Sequence, residues 1–293
     1  MRYLVTGGCG FIGHHLVKKL KSLGHTVFNV DNLSTASNEN FADRLYKVDI
    51  SDYKELHNVF ESIGEIDCVF HLAALARVQP SIKDPLNYNN VNVTGTLNLL
   101  ELSNKFKVKK FVFSSSSSVY GNNNIPFVES MSNLIPLSPY GLQKLIGEQY
   151  CRLYNEVYGV KTFCLRYFNV YGPDMPLKGQ YRTALSIFKE KILNNEPIPI
   201  TNDGTQTRDF THVFDIVDAN ILCSNLECEF EIFNVGNGKD ISMNEIVKLI
   251  GKPYEFIGEV KEPKNTLSDS TKLKKYTGWN PTGNIENFIK DFF

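Results

Sequence analysis

The first thirteen residues constrain this chain most: Met1-Arg2-Tyr3-Leu4-Val5-Thr6-Gly7-Gly8-Cys9-Gly10-Phe11-Ile12-Gly13. Tyr3 to Val5 is apolar and ends on a β-branched residue, which predicts a buried strand. Gly7, Gly10 and Gly13 follow at regular spacing, and apolar Ile12, Leu16, Leu20 and Leu23 then mark one face of a helix. A strand, spaced glycines and a helix make a dinucleotide-binding turn. Gly7 permits the tight turn, Gly10 lets a pyrophosphate approach the backbone, and Gly13 lets helix and strand pack closely. Phe11 and Ile12 open the helix, whose free N–H groups and positive dipole end face the phosphates. Gly7, Gly10, Phe11, Ile12 and Gly13 are therefore candidate cofactor residues.

A second predicted strand, Thr26 to Val30, ends in Asp31, with Asn32 beside it. An acid about twenty residues beyond the glycines is placed to hold a ribose 2′-hydroxyl. Asp31 would repel a 2′-phosphate, and no Arg follows it directly, so NAD is expected rather than NADP.

The 293 residues allow one large domain or two unequal ones. A hydrophobic content of 42% with 22% charged residues belongs to soluble globular proteins. The net charge of -1 argues against nucleic acid as a partner. No apolar run reaches membrane length, and the apolar start is too short for a signal peptide. Cys9, Cys68, Cys151, Cys164, Cys223 and Cys228 form no CxxC pair. Reduced cysteines in a cytoplasmic protein, and no metal site, are expected.

Further along, Leu45 to Val48 is a predicted third strand ending at Asp49, and Ser51 or Asp52 caps a helix through Glu61. Asp67 to Leu72 is a fourth strand, and the small Ala73 and Ala74 after it allow close approach of a cofactor. A helix is predicted from about Asn87 to Phe106, a fifth strand at Lys110 to Phe113 running into Ser114–Ser118, a helix from Pro139 to about Tyr158, and a sixth strand at Val160 to Leu165. Such alternation implies an α/β fold with a doubly wound parallel sheet of Rossmann type. Past Asn169 the elements shorten. Helices at Arg182–Leu193, Phe214–Leu226, Ser242–Ile250 and Thr271–Tyr276 and a strand at Phe230–Val235 are expected. The expected division is an NAD-binding part, 1–172 with about 211–236, and a smaller C-terminal substrate-binding lobe, 173–210 and 237–293.

Ser138-Pro139-Tyr140-Gly141-Leu142-Gln143-Lys144 carries the chemistry. Ser138 suits an N-cap and Pro139 the first helical position. Tyr140 and Lys144, four apart, share one helix face. An ammonium near a phenol lowers its pKa from about 10, so Tyr140 is expected to exchange a proton with a substrate hydroxyl. Tyr-xxx-Lys also recurs by chance, but the serine run sits at a strand's carboxyl end, where sites form. A serine there would hydrogen-bond the same oxygen.

These stretches, with Val119-Tyr120-Gly121, Arg166-Tyr167-Phe168-Asn169-Val170-Tyr171-Gly172 and Gly204-xxx-Arg208-Asp209-Phe210-Thr211-His212-Val213, resemble the extended short-chain dehydrogenase/reductases, and most closely the UDP-hexose 4-epimerases. The resemblance implies a catalytic Ser116, Tyr140 as acid/base, and Lys144 as its partner and nicotinamide-ribose anchor. It places Asp49 and Ile50 at the adenine, Leu72, Ala73 and Ala74 along the cofactor, and Tyr167 and Phe168 beside the nicotinamide. Ser116, Ser117, Asn169 and Arg208 are implied to touch the UDP-sugar, Arg208 through its diphosphate. The 4,6-dehydratases carry Thr-Asp-Glu where this chain has Ser116, Ser117 and Ser118, and the decarboxylases usually place a Glu at Ser118, so 4-epimerisation fits better. The rival readings are a dehydratase, a 4-keto reductase or a non-catalytic NAD-binding regulator. A second diphosphate-binding Arg of the family is missing, leaving Lys261 or Lys264 as substitutes. Thr266 falls where a large residue excludes an acetamido group, which implies activity on UDP-GlcNAc/UDP-GalNAc as well as UDP-Glc/UDP-Gal. The resemblance also implies a homodimer through the helices at about Asn87–Phe106 and Pro139–Tyr158.

Overall fold

In the computed structural model, residues 1–36, 38–179, 182–260 and 262–293 are described. Seven parallel strands form the central sheet: β1 (Arg2–Thr6), β2 (Thr26–Val30), β3 (Arg44–Tyr46), β4 (Cys68–His71), β5 (Lys110–Ser116), β6 (Lys161–Tyr167) and, later in the chain, Phe230–Val235. The helices crossing between them are α1 (Phe11–Ser22), α2 (Tyr53–Ile63), α3 (Val78–Lys83), α4 (Pro85–Asn89), α5 (Gly95–Lys105) and α6 (Pro139–Tyr158). From one edge the strands run Phe230–Val235, β6, β5, β4, β1, β2, β3. The winding reverses between β1 and β4, where Thr6 stands beside Val30 on one side and His71 on the other. A crevice opens at such a switch point, beyond the carboxyl ends of the strands.

Alternation along β1 builds the two layers of core. Tyr3 and Val5 point into one, with Leu16, Val17 and Leu20 of α1. Leu4 points into the other, with Leu56, Val59 and Phe60 of α2 and Leu99, Leu100 and Leu102 of α5. A third apolar cluster, around Leu185, Phe188, Ile198, Ile246 and Ile289, belongs to the later segments. These contain β7 (Val170–Tyr171), α7 (Ala184–Leu193), β8 (Ile198–Ile200), β9 (Thr207–Asp209), β10 (Thr211–His212), α8 (Val213–Ser224), then the sheet strand β11 (Phe230–Val235), β12 (Asp240–Ser242), α9 (Met243–Ile250), β13 (Tyr254–Phe256), α10 (Thr271–Thr277) and α11 (Ile285–Phe292). Among the described residues no helix is long and apolar enough to cross a membrane, and all six cysteines are free.

Several boundaries differ from expectation. The third strand is Arg44–Tyr46, not Leu45–Val48, because Tyr46 pairs with Val30, the last residue of β2, and no partner remains beyond it. Asp52, rather than Ser51, caps α2, accepting from the Glu55 N–H. The single helix expected over Asn87–Phe106 is α4, a π-turn at Asn90–Thr94 and α5. There the Asn92 side chain bonds both backbone groups of Leu75 and the Gln143 side-chain oxygen. Ser114, Ser115 and Ser116 extend β5, and Ser117–Tyr120 is one turn of 3₁₀ helix. The helix expected from Arg182 begins at Ala184, capped by Thr183. The short α3, β8, β9 and β13 carry too few residues to show a period, whereas α11 does show one, with Ile285, Phe288, Ile289 and Phe292 on one face.

Candidate active site

The glycine turn has the geometry its spacing predicts. Gly7 sits at φ 74°, and a Cβ there would lie 2.8 Å from the Ala73 nitrogen. A Cβ on Gly13 would lie 2.1 Å from the Gly7 carbonyl oxygen, so only glycine lets α1 start against β1. Gly10 precedes α1 without a capping side chain, and no acid stands in the first turn. The free N–H groups and the positive end of the helix thus remain open to an anion. Asp31, at the end of β2, is buried and accepts from Cys9 N–H at 2.9 Å and Leu33 N–H at 2.8 Å. Each carboxylate oxygen keeps a further lone pair for a ribose hydroxyl. Asp49 accepts from Ser51 and, at 2.7 Å, from the Asn32 amide.

The three glycines, Asp31, Asn32 and Asp49 line one cleft, open to solvent at its mouth. Gly7, Gly10, Phe11, Ile12, Gly13, Asp31, Asn32, Asp49, Ile50, Leu72, Ala73 and Ala74 share its lining with Tyr140, Lys144 and Tyr167. The residues therefore fit a dinucleotide on observation: an uncapped helix start, a cradle without side chains, and an acid with acceptor capacity to spare. Ser114, Ser115, Arg77 and Pro176 also line it. No sequence reasoning reached Arg77, whose φ of 87° turns the chain after β4. Phe168 does not join Tyr167: it is fully buried with Val119, Tyr120 and Phe127. Adjacent residues leaving a strand point to opposite sides.

Ser138 caps α6 on the Gly141 N–H, with Pro139 at the first position. Tyr140, Lys144 and Glu148 then recur every four residues along one face. The Tyr140 phenol lies close enough to Ser116 and Arg77 for both to act on it. Burial raises its pKa, against the opposing pull of Ser116 and Arg77. Lys144 does not supply the lowering expected of it, because its Nζ is turned to the Ser114 carbonyl at 2.8 Å. Burial brings the ammonium down to about 8, resisted by Cys151 and Glu148. Glu148 is locked beneath, accepting from Arg166 through Nε at 2.8 Å and Nη2 at 2.7 Å and from Ser115 at 2.5 Å. This buried pair ties α6 to both β5 and β6. Tyr167 is held by Ser114 at 3.0 Å and by Asn220.

The second group of predicted residues comes from three distant segments. Asn169, after β6, donates to the Asp209 carbonyl at 3.3 Å and to Thr266 Oγ1 at 3.4 Å. Thr266 also accepts from the Asp209 N–H. The Asp209 carboxylate is buried and takes four donors, from Asn237, Gly238 and twice from Ser268. Arg208 donates to the Thr207 and Lys264 carbonyls and pairs with Glu262 at 3.0 Å. Lys264 presents its carbonyl to Arg208. Lys261 lies outside the described residues. Ser116 accepts from the Ser118 N–H at 3.1 Å, and Ser117 follows it in the 3₁₀ turn.

A doubly wound sheet with a dinucleotide cleft, and a Tyr–Lys pair with a serine at its carboxyl edge, defines a nicotinamide-dependent enzyme of the short-chain dehydrogenase/reductase class. Residues 3–236 match the NAD dependent epimerase/dehydratase family, and the chain belongs to that family, with NAD as its cofactor. It is 39% identical to the UDP-glucuronate 4-epimerase of Thermodesulfobacterium geofontis, over 98% of this chain and 94% of that one. The structure is similar to the UDP-glucose 4-epimerase of Thermotoga maritima solved with UDP-glucose: TM-score 0.92, 37% identity, 99% of this chain and 96% of that one. It is also similar to the UDP-N-acetylglucosamine 4-epimerase of Methanobrevibacter ruminantium in complex with UDP-N-acetylmuramic acid: TM-score 0.91, 35% identity, 99% and 96%.

Proposed function

We propose that this chain interconverts UDP-hexoses at the sugar 4-position, with UDP-Glc/UDP-Gal and UDP-GlcNAc/UDP-GalNAc as its two substrate pairs. The observation carrying this is that Tyr140 and Lys144 line the cleft of the glycine turn beside the serines that end β5, with no carboxylate in Ser114–Ser118 to drive elimination. Residues 1–172 and 211–236 hold NAD, and residues 173–210 and 237–293 hold the sugar nucleotide. Asn169 and Arg208 bind its UDP portion, a guanidinium suiting diphosphate geometry, and Ser116 and Ser117 meet the sugar. Tyr140 removes the 4-hydroxyl proton while Ser116 bonds the same oxygen. NAD held in the cleft would supply the hydride acceptor and donor for this redox-neutral exchange. Lys144, whose ammonium bonds the Ser114 carbonyl at the strand end, anchors the nicotinamide ribose. Tyr140 then gives the proton back after the 4-keto sugar has turned its other face. Thr266 leaves room for an acetamido group. Two copies pair through α5 and α6 as a homodimer, and the free cysteines suit the cytoplasm.

The test is incubation of the purified protein with UDP-Glc, UDP-Gal, UDP-GlcNAc and UDP-GalNAc without added NAD, followed by chromatographic identification of products. Nicotinamide released on denaturation is measured in parallel, because a redox-neutral cycle never requires the cofactor to leave. Epimers formed by a nicotinamide-loaded protein are the expected result. Dehydrated products, or a fully nicotinamide-free protein that binds no added NAD, would overturn the reading.

A further inference from the structure

His14 and His15 occupy consecutive positions on α1, 158 residues before the segment that meets them. Both are buried, with 4% and 7% of their surface exposed. Consecutive helical side chains diverge by about 100°, yet both Nε2 atoms lie 3.6 Å from the same oxygen, Asp174 Oδ2. All three donor atoms fall within 4.8 Å of one another. Bonds of about 2.0–2.1 Å in a tetrahedral site place ligand atoms roughly 3.4 Å apart, close to these spacings.

The ring of His14 is also oriented for ligation. Its Nδ1 lies 3.3 Å from the Glu39 carbonyl. A carbonyl only accepts, so Nδ1 carries the proton and the Nε2 lone pair faces Asp174. A ligand histidine held by a carbonyl on its other nitrogen is the usual outer support of a metal site. His15 Nε2 stands 3.1 Å from the Pro173 carbonyl. A cation there displaces the Nε2 proton, which the ring takes up at Nδ1, and the Pro173 oxygen becomes a fourth donor. Phe11 and Phe214 pack on the His15 ring and Phe41 on His14, so neither ring is free to swing away.

We infer that His14, His15 and Asp174 form a binding site for a divalent transition cation of the Zn²⁺ class. Two imidazoles and one carboxylate suit such a metal rather than Ca²⁺ or Mg²⁺. The site joins two parts that meet the cofactor. Phe11 and Ile12 in the first turn of α1 line the cleft, and so does Pro176, two residues past Asp174. A bound cation clips that segment to α1 and tightens NAD binding, and NAD tightens the cation in return. The inference is independent of which sugar the enzyme takes.

Full-length protein freed of metal with a chelator is titrated with Co²⁺, read by the visible bands of a four-coordinate ion, and with Zn²⁺ by calorimetry and melting temperature. One equivalent bound at micromolar concentration, with a raised melting temperature, is expected. Asp174→Asn, at a half-exposed position, leaves the fold intact and should weaken binding at least tenfold, as should His14→Gln. NAD affinity should rise severalfold with Zn²⁺ in the wild type and not in Asp174→Asn. Absence of binding at millimolar metal overturns the inference. Binding undiminished in both variants does so too, placing the ion elsewhere, such as at Cys228 or His57.

Discussion

The two ends of the candidate site are built differently. The cofactor end is assembled from the carboxyl ends of adjacent parallel strands, so Gly7, Asp31, Ala73 and Ser114 are brought together by one sheet register. The proposed sugar-nucleotide end joins Asn169, Arg208 and Thr266 through strands of two or three residues, and the contacts among Asn169, Asp209 and Thr266, at 3.3–3.4 Å, are long. Its arginine is already occupied by Glu262. A continuous sheet places groups before any ligand arrives. A site held by short segments keeps freedom to adjust.

Tyr140→Phe breaks the comparison at its firmest point and carries the largest expected effect. Loss of a general base costs about 10²–10⁴-fold in rate, while NAD content stays near wild type because the ring still fills its place. Epimerisation rates with bound-nicotinamide measurements check both halves of that statement. Near wild-type turnover would remove Tyr140 from the proton transfer.

The next effect is on stability. The Lys144 pKa is about 8 in the folded protein and near 10.5 unfolded. Between those values the unfolded chain holds the proton and the folded chain does not, so folding stability rises with pH across this window. In the cofactor-free protein the gain totals on the order of 3 kcal/mol, and it is fully lost below about pH 8. Lys144→Met removes this dependence. Urea unfolding of both proteins at pH 7.5 and 10 measures it, and parallel pH profiles would refute the assignment.

At the adjustable end, Thr266→Tyr is expected to suppress the N-acetylated pair selectively, since overfilling a packed pocket costs roughly 1–3 kcal/mol. Ratios of kcat/KM for the two sugar pairs decide this; equal loss on both means that Thr266 does not gate the sugar. Thr266→Val separates the loss of the hydroxyl bonded to Asp209 from the change in size. The smallest effect belongs to Glu262→Gln. Releasing Arg208 from a partly exposed carboxylate changes affinity by about 1 kcal/mol or less, so KM for the UDP-sugar falls up to about fivefold with kcat unchanged. A raised KM would show Glu262 assisting the substrate rather than competing with it.

Several features were legible in the residues because their causes are local. The glycine spacing reports a steric requirement, which the Gly13 approach to Gly7 makes concrete. Ser138 and Pro139 mark a helix start through backbone groups within one turn. Asp31 follows from the length of one β–α–β unit. The resemblance of separate motifs to one family added Ser116, Arg208 and Thr266, which no periodicity singles out. The sequence alone thus determined the sheet, its glycine turn and the Tyr140–Lys144 face, since each depends on neighbours within a few residues or on a strict repeat. Tertiary structure decided where Lys144 points, that Phe168 turns away from the cleft, that Arg77 enters it, that Glu148 meets Arg166 and Ser115, and that Asp174 faces two histidines of α1. Those pairings join residues that chain spacing leaves unrelated. Only parallel crossovers, which carry the chain across the sheet between one contact and the next, bring them within bonding distance.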